Sequence, residues 1–295
     1  YPSSLQQMSS MLSPLWIASI VLSCSQKVVL SGEDVVIEQS ILERISEHVE
    51  NMRQLNQWQT ERNRNYRHSL AKYMCDPNSE ISTISVMEIT NGGYCLQARP
   101  IDDSYTMPLY ISPNNALANG HFLADNGLCE AFANFFLPDT SILDAGAGQG
   151  QYKGSMNQLR PDISWYSVDG ALNIELYTDD FVSHYDLCTP IIPMEWEQSF
   201  DWVVSIEVGE HLPPHCEDIF FHLITHAARE GVVLTWSNDY VLPHHPNPHT
   251  NEYVEQKMSN LGFSSDGVAK DLFRKSVSQL PWLQENTMVF RRHTD

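Results

Sequence analysis

The sequence predicts an α/β fold built on a mostly parallel sheet, preceded by a helical region near the N-terminus. Short apolar segments alternate with helical ones after residue 141. A glycine-rich loop follows the first apolar segment, and carboxylates follow later ones. Buried strands that alternate with helices are typical of parallel sheets. Ligands of such sheets bind beyond the carboxyl ends of the strands, so these groups are candidates for a site.

The expected strands lie at 142–143, 165–168, 202–206, 232–236 and 287–292. Helices are expected at 128–136, 216–228 and 252–261, where the apolar residues and the breakers fit helical spacing. Together these segments place the main α/β domain at residues 120–295.

The region before residue 120 divides into two parts. Residues 1–25 contain an apolar run of signal-peptide length, which is shorter than the roughly 20 residues of a membrane span. Residues 26–119 form a helical and irregular region. Within it, apolar residues at helical spacing predict an amphipathic helix that begins after the capping residues 31–34 and continues toward Leu70, and a turn-rich connector or small hairpin follows at 76–113.

Composition restricts the partners. The chain carries 37 acidic and 17 basic residues, a formal net charge of −20. That charge repels polyphosphates, so it disfavours nucleic acid as a partner and favours a small molecule. The six cysteines show no Cys-x-x-Cys pair, which favours ordinary reduced or buried thiols. Disulfides are expected if the chain is secretory, and Cys75 with Cys95 is then the expected pair, since they flank a turn-rich segment.

The loop at 144–150 reads Asp-x-Gly-x-Gly-x-Gly. Glycines let the backbone turn sharply and approach a ligand closely. A dinucleotide fingerprint requires Gly-x-Gly-x-x-Gly, but here residue 151 is Gln and the third glycine comes one residue early. The expected cofactor contacts in the loop are Asp144, Gly146, Ala147, Gly148 and Gly150.

Further carboxylates follow the loop in order. Asp169, followed by Gly170, ends the next strand, where a carboxylate can accept both hydroxyls of a ribose. Over residues 120–292 the pattern resembles the class I S-adenosylmethionine (SAM) dependent methyltransferases. The resemblance implies a Rossmann-like fold with seven strands, helices on both faces and an antiparallel final hairpin. It also implies SAM as the cofactor, with Asp186 and Leu187 at the adenine.

A Glu-x-x-Glu-His element, Glu207 to His211, follows the strand at 202–206. It resembles the corresponding motif of methyltransferases that act on ubiquinone precursors and on the terminal 2′-hydroxyl of small RNAs. In the RNA group these residues and a distant histidine hold a divalent metal. Carboxylates and imidazoles suit Mg²⁺, Mn²⁺ or Zn²⁺. The expected metal ligands are Glu207, Glu210, His211 and His249, with Glu207 also near the cofactor. In related enzymes without a metal, a similar Glu and His only shape the cofactor pocket.

The fourth ligand is expected from the proline-rich loop at 243–249, which contains His244, His245 and His249. His249 is the first candidate, and His245 is an alternative ligand or a general base. Incidental surface histidines are the other interpretation. Glu210, His245 and His249 are therefore the expected catalytic residues.

The resulting prediction is a methyltransferase that acts on a hydroxyl, or next on an amine, of a small molecule. A dinucleotide-dependent oxidoreductase and a catalytically inactive binding protein on the same fold are the alternatives. The apolar N-terminal run slightly favours the secretory pathway, and with it a resemblance to poorly characterised animal methyltransferase-like secretory proteins. Apart from that run, no membrane span is expected.

Overall fold

The computed structural model describes residues 28–30, 33–35, 39–75, 110–111, 117–118, 124–240 and 245–293. The chain divides into two compact units, residues 1–66 and 67–295. The division falls within one helix, upstream of the expected boundary at residue 120. The expected signal segment and most of the expected connector at 76–113 lie outside the described residues.

The first unit contains a short antiparallel pair, β1 (Val28–Leu30) with β2 (Glu33–Val35), and most of helix α1 (Gln39–Met74). The expected helix is therefore present but begins later than its apparent cap, because Glu33–Val35 is extended and pairs with β1. Between residues 44 and 66 most of the described side chains of α1 are exposed.

The second unit contains a two-stranded pair, β3 (Tyr110–Ile111) with β4 (Leu117–Ala118), and the main sheet. In chain order, the helices and strands up to β8 are α2 (Asn126–Phe135), β5 (Ser141–Ala145), α3 (Gln151–Leu159), β6 (Ser164–Asp169), α4 (Ile174–Thr178), β7 (Ser183–His184) and β8 (Phe200–Ser205). Those that follow are α5 (Glu217–Ala227), β9 (Ala228–Leu234), α6 (Asn251–Asn260), β10 (Phe263–Ser265), α7 (Gly267–Ser276), α8 (Leu283–Asn286) and β11 (Met288–Arg292).

The main sheet has seven strands in the order β10-β11-β9-β8-β5-β6-β7. The strands β5 to β9 pair in parallel, whereas β11 lies antiparallel between β9 and β10. This arrangement confirms the expected Rossmann-like methyltransferase fold with its antiparallel final hairpin. The short strands β7 and β10 were not predicted, because two or three residues give no recognisable alternation.

Alternate residues of the central strands pack on opposite faces of the sheet. Leu143, Val203 and Val232 belong to the core cluster that contains the buried side chains of α5 and α6. The other cluster contains Ile142 and Val204 together with buried residues of α2, α3 and α7. Helices thus cover both faces, as a buried parallel sheet requires. No helix among the described residues combines the length and apolarity of a membrane span.

Candidate active site

The glycine loop connects β5 to α3 at the carboxyl edge of the sheet. Its backbone N–H groups at Gly146 and Ala147 both donate to the Val168 carbonyl, each at 2.9 Å. Gly146 and Gly148 have φ angles of 84° and 55°, in the left-handed region that side chains disfavour. A Cβ on Gly146 would also lie 2.4 Å from Val208 Cγ2. The loop therefore requires glycine and packs directly against the Glu-x-x-Glu-His element.

Asp169 ends β6 beside this loop. Its Oδ2 accepts from the backbone N–H of Gly148, and its Oδ1 accepts from that of Ala171, both at 2.8 Å. Burial raises the pKa of Asp169 to about 6, although these two hydrogen bonds lower it. Each oxygen still has a lone pair for a second donor. The carboxylate is therefore held where the sequence predicts the ribose, next to Gly170.

Asp144 has a different environment from the other acidic residues at this edge. It is buried at the end of β5, and its Oδ2 accepts from Trp165 Nε1 at 2.9 Å and from Ser167 Oγ at 3.1 Å. Burial raises its pKa to about 6, and both hydrogen bonds oppose that rise. Asp144 thus joins β5 to β6 in the described structure. This contact fixes the root of the glycine loop, and direct contact with the cofactor remains a prediction.

Asp186 and Leu187 follow β7, as expected for an adenine-binding segment. Asp186 Oδ1 accepts from the Cys188 backbone N–H at 2.8 Å, and Leu187 is buried in the core. A disulfide joins Cys188 to Cys216, just before α5. It ties this segment to the chain that follows the Glu-x-x-Glu-His element. The sequence did not indicate this pair, because the cysteines are distant in sequence and lack any motif.

Two other cysteines, Cys75 and Cys129, are among the described residues. Cys75 is also disulfide-bonded, but its partner lies outside the described residues, so the pairing with Cys95 stays a prediction. Cys129 is a free, buried thiol. The expectation of reduced thiols is therefore met at Cys129 and not at Cys75, Cys188 or Cys216.

The Glu-x-x-Glu-His element leaves β8 through a strained residue. Glu207 has a φ of 56°, and its backbone N–H donates to Thr235 Oγ1 at 2.6 Å. A residue other than glycine in this region costs about 1–3 kcal/mol, and such strain is common at functional sites. The turn Gly209–His211 then directs Glu210 inward.

Glu210 is fully buried, and neither of its carboxylate oxygens makes a hydrogen bond of regular geometry to a described residue, although Glu207 and the Ser237 backbone lie close to it. Oε1 of Glu207 is buried and unpartnered in the same sense. Burial raises the pKa of Glu210 well above its usual range, and the neighbouring Glu207 charge raises it further. Burial likewise raises the pKa of Glu207. Such a pair is costly unless a cation or a proton compensates it.

Two histidines complete a group around Glu210. Ligand atoms of Glu210, His211 and His245 all lie within 4.8 Å of one another. The two imidazole rings meet edge to face with their centroids 4.7 Å apart. His245 Nδ1 lies 3.2 Å from the Asp239 carbonyl oxygen. When Nδ1 carries the proton it donates to this carbonyl and leaves Nε2 as a ligand, an arrangement that metal-binding histidines commonly use.

His249 is not part of this group. Its Nε2 lies 2.6 Å from Glu217 Oε2, and its ring stacks on Tyr253 with centroids 3.9 Å apart. The structure therefore replaces His249 by His245, the alternative from the same loop, beside Glu210 and His211. The His249 ring is held by Glu217 Oε2 instead, while its backbone N–H donates to the Ser237 carbonyl at 3.1 Å.

Three features of the site were not predicted from the sequence. Glu217 begins α5 and gave no signal beyond that of an acidic residue in a first helical turn. Thr235 and the Cys188–Cys216 disulfide depend on contacts between segments distant in the chain. Only the folded chain reveals them.

No protein-family model matches the chain, and no curated protein matches it in sequence. Solved structures of methyltransferases do match. A magnesium protoporphyrin IX methyltransferase from Synechocystis, solved with S-adenosylhomocysteine, is 14% identical and has a TM-score of 0.41, over 57% of this chain and 81% of that one. A TehB-like SAM-dependent methyltransferase from Corynebacterium glutamicum is 16% identical and has a TM-score of 0.43, over 57% and 88%. A phosphoethanolamine N-methyltransferase from Haemonchus contortus is 15% identical, with a TM-score of 0.39, over 58% and 53%.

Proposed function

We propose that this protein is a SAM-dependent methyltransferase that acts on a small molecule. A hydroxyl is the favoured acceptor group, and an amine is the second candidate. The observation that carries the proposal is the contact between the glycine loop and Asp169, where the Gly148 N–H donates to the carboxylate. A carboxylate at this point can accept the ribose hydroxyls, and positive-φ glycines admit a ligand close to the backbone.

The charge around the loop favours SAM over a dinucleotide. Asp144 and Asp169 are buried beside the loop, and Gly146 packs on Val208 between Glu207 and Glu210. A pyrophosphate would meet this concentration of carboxyl groups, whereas SAM carries an ammonium and a sulfonium group. The glycine spacing also disfavours a dinucleotide, because Gln151 stands where the dinucleotide fingerprint has its third glycine.

We further propose that Glu210, His211 and His245 bind one divalent cation, with Glu207 beside it. The buried oxygens of Glu210, which make no regular hydrogen bond to a described residue, and the Asp239 contact of His245 fit a cation site. When bound, Mg²⁺, Mn²⁺ or Zn²⁺ would lower the pKa of an acceptor hydroxyl. Glu210 and the two histidines would hold the site, and Glu207 would balance its charge. The effect of such a metal on the pKa of a hydroxyl is the reason to favour oxygen as the acceptor atom.

SAM supplies an electrophilic methyl group, so the protein's own contribution is mainly to position the reactants. Asp169 and the loop fix the donor. The Glu210 group lies in the turn that follows β8 and would hold the acceptor, and the net charge of −20 favours a small molecule over nucleic acid there.

We also propose that the protein functions in an oxidising compartment, such as the secretory pathway. Support comes from the Cys188–Cys216 disulfide and from Cys75, which is also disulfide-bonded. Disulfides persist in such compartments and are rare in the reducing cytosol.

The cofactor proposal is tested by calorimetric titration of the full chain with SAM, S-adenosylhomocysteine and NADH. We expect both adenosyl compounds to bind and NADH to give no signal. Binding of NADH alone would establish the oxidoreductase alternative, and no binding of any of the three would favour an inactive scaffold.

The metal proposal has a separate test. Excess EDTA, or the Glu210→Ala substitution, should abolish methyl transfer to an accepted small molecule and leave SAM affinity within about threefold. Full turnover in EDTA, together with no metal detected by elemental analysis, would contradict the metal site. His245 would then be the better candidate for a general base.

A further inference from the structure

Glu217 is a buried carboxylate that the proposed chemistry does not use. It begins α5, six residues after His211, and is 6% exposed. Four side chains contact it: Asn247 Nδ2 at 3.1 Å, His249 Nε2 at 2.6 Å, Tyr253 Oη at 2.5 Å and Lys257 Nζ at 3.0 Å. Burial raises the pKa of Glu217, but these donors outweigh burial and the net shift is downward. The carboxylate is therefore ionised at neutral pH.

All four donors belong to one stretch of chain, residues 247–257, which includes the end of the proline-rich loop and most of α6. Within it, Asn247 is held from two more sides. Its backbone N–H donates to the Glu210 carbonyl at 3.1 Å, and its own carbonyl accepts from Trp236 Nε1 at 2.7 Å. Asn247 is two residues from His245. It therefore links the Glu217 carboxylate, the Glu210 backbone and the histidine of the proposed cation site.

We propose that Glu217 is a positioning residue for the proposed cation site: by holding Asn247 and His249, it keeps His245 beside Glu210 and His211. The inference rests on the proposed function of that site. It also explains why His245 and His249 have different contacts, since His249 anchors the loop to Glu217 and His245 lies beside Glu210. Partners that orient metal ligands in this way typically change metal affinity by about 10–100-fold when they are lost.

The test compares Glu217→Gln with a matched control, Asp218→Asn. Asp218 is the next residue of the same helical turn and also contacts Lys257, at 2.8 Å, but its side chain is 87% exposed. Affinity for Mn²⁺ alone is measured by calorimetry on the full chain at a temperature below the thermal transition of each variant. We expect about a 10–100-fold weaker affinity in Glu217→Gln. Asp218→Asn should stay within about twofold of the wild type.

Two further measurements separate positioning from a general structural role. At saturating Co²⁺, the visible absorption spectrum should change in Glu217→Gln and not in Asp218→Asn, because the spectrum reports ligand geometry. If Glu217→Gln does not fold, Asn247→Ala should give the same loss of Mn²⁺ affinity, since it removes one contact with Glu217 and keeps both backbone contacts.

SAM titration of the same proteins distinguishes the possible failures. A folded Glu217→Gln variant with wild-type SAM and Mn²⁺ affinities would overturn the positioning role and leave the proposed function intact. A lower melting temperature with unchanged Mn²⁺ affinity would do the same. Wild-type protein that binds SAM but no Mn²⁺ would overturn the cation site and the positioning role together. Wild-type protein that binds no SAM would overturn the proposed methyltransferase itself.

Discussion

The backbone N–H of Gly148 donates to Oδ2 of Asp169 at 2.8 Å. This hydrogen bond connects the loop after β5 with the end of β6, two parts of the sheet that the sequence separates by 21 residues. It holds the predicted ribose carboxylate against the predicted cofactor loop. A donor cofactor that binds here would meet a largely prearranged surface, which is favourable because little ordering remains to be done on binding.

Replacement of Gly148 by Val should weaken SAM binding at least tenfold and leave the fold largely intact. The φ of 55° disfavours a β-branched residue, and a side chain would also occupy the space of the ligand. We expect this loss of affinity in calorimetry because the valine side chain would enter the space that the ligand needs. Gly267→Ala is the control, because a Cβ there meets nothing within 4 Å. Unchanged SAM affinity in folded Gly148→Val would contradict the cofactor loop.

Asp169→Ala should weaken SAM binding at least tenfold. It removes a charged acceptor whose hydrogen bonds to the ribose would each contribute about 1.5–3 kcal/mol. Asp162→Ala, which removes an exposed carboxylate just before the same strand, should have no such effect. A loss of less than threefold in a folded Asp169→Ala variant would mean that another group holds the ribose.

The same carboxylate predicts a pH dependence. Burial raises the pKa of Asp169 to about 6, so it loses its charge as the pH falls through that value. The ionised form is the better acceptor for hydroxyl donors, and SAM affinity should therefore decline below about pH 6 and level off above it. Asp169→Asn should flatten this part of the profile. An identical profile in wild type and Asp169→Asn would assign the pH dependence to a different group.

The Cys188–Cys216 disulfide should stabilise the segment that is predicted to contact the adenine. Closing a loop of this length contributes about 3–4 kcal/mol in the chain-entropy model. The double substitution Cys188→Ser, Cys216→Ser should lower the free energy of unfolding in urea accordingly. It should also weaken SAM binding, because the segment that contains Leu187 is no longer crosslinked to Cys216. Cys129→Ser is the control, because it removes a free thiol and no disulfide. Non-reducing peptide mapping that finds Cys188 and Cys216 as thiols would remove this prediction and its support for an oxidising compartment.

The same peptide map tests the expected partner of Cys75. A crosslinked peptide that contains Cys75 and Cys95 would establish the pair that the turn-rich segment suggests. A link from Cys75 to Cys24 would replace it.

The sequence predicted the central sheet because its strands are long, apolar and separated by helical segments. It placed the segments 142–143 and 202–206 within one or two residues of the ends of β5 and β8. It missed β7 and β10, which are short and sit at the edges, and it began the first helix too early. The β1–β2 pairing that shifts that start is a contact between segments, and no local pattern records it.

The candidate site, like the fold, was predictable from the sequence only in part. Carboxylates that directly follow strands must meet at one sheet edge, so Asp169 and Glu210 could be named from their positions. The choice between His245 and His249 could not be made, because both belong to one proline-rich loop. Their separation depends on the Asn247 and His249 backbone contacts and on Glu217, which lies about 30 residues earlier.

The most direct test of the central claim is a crystal structure of the protein with S-adenosylhomocysteine and Mn²⁺, with diffraction data collected at the manganese edge. The account predicts the ribose on Asp169, the homocysteine portion along the glycine loop, and a single anomalous peak between Glu210, His211 and His245. A structure in which the adenosyl ligand binds away from Asp169 and the loop would contradict it, whatever the position of the manganese.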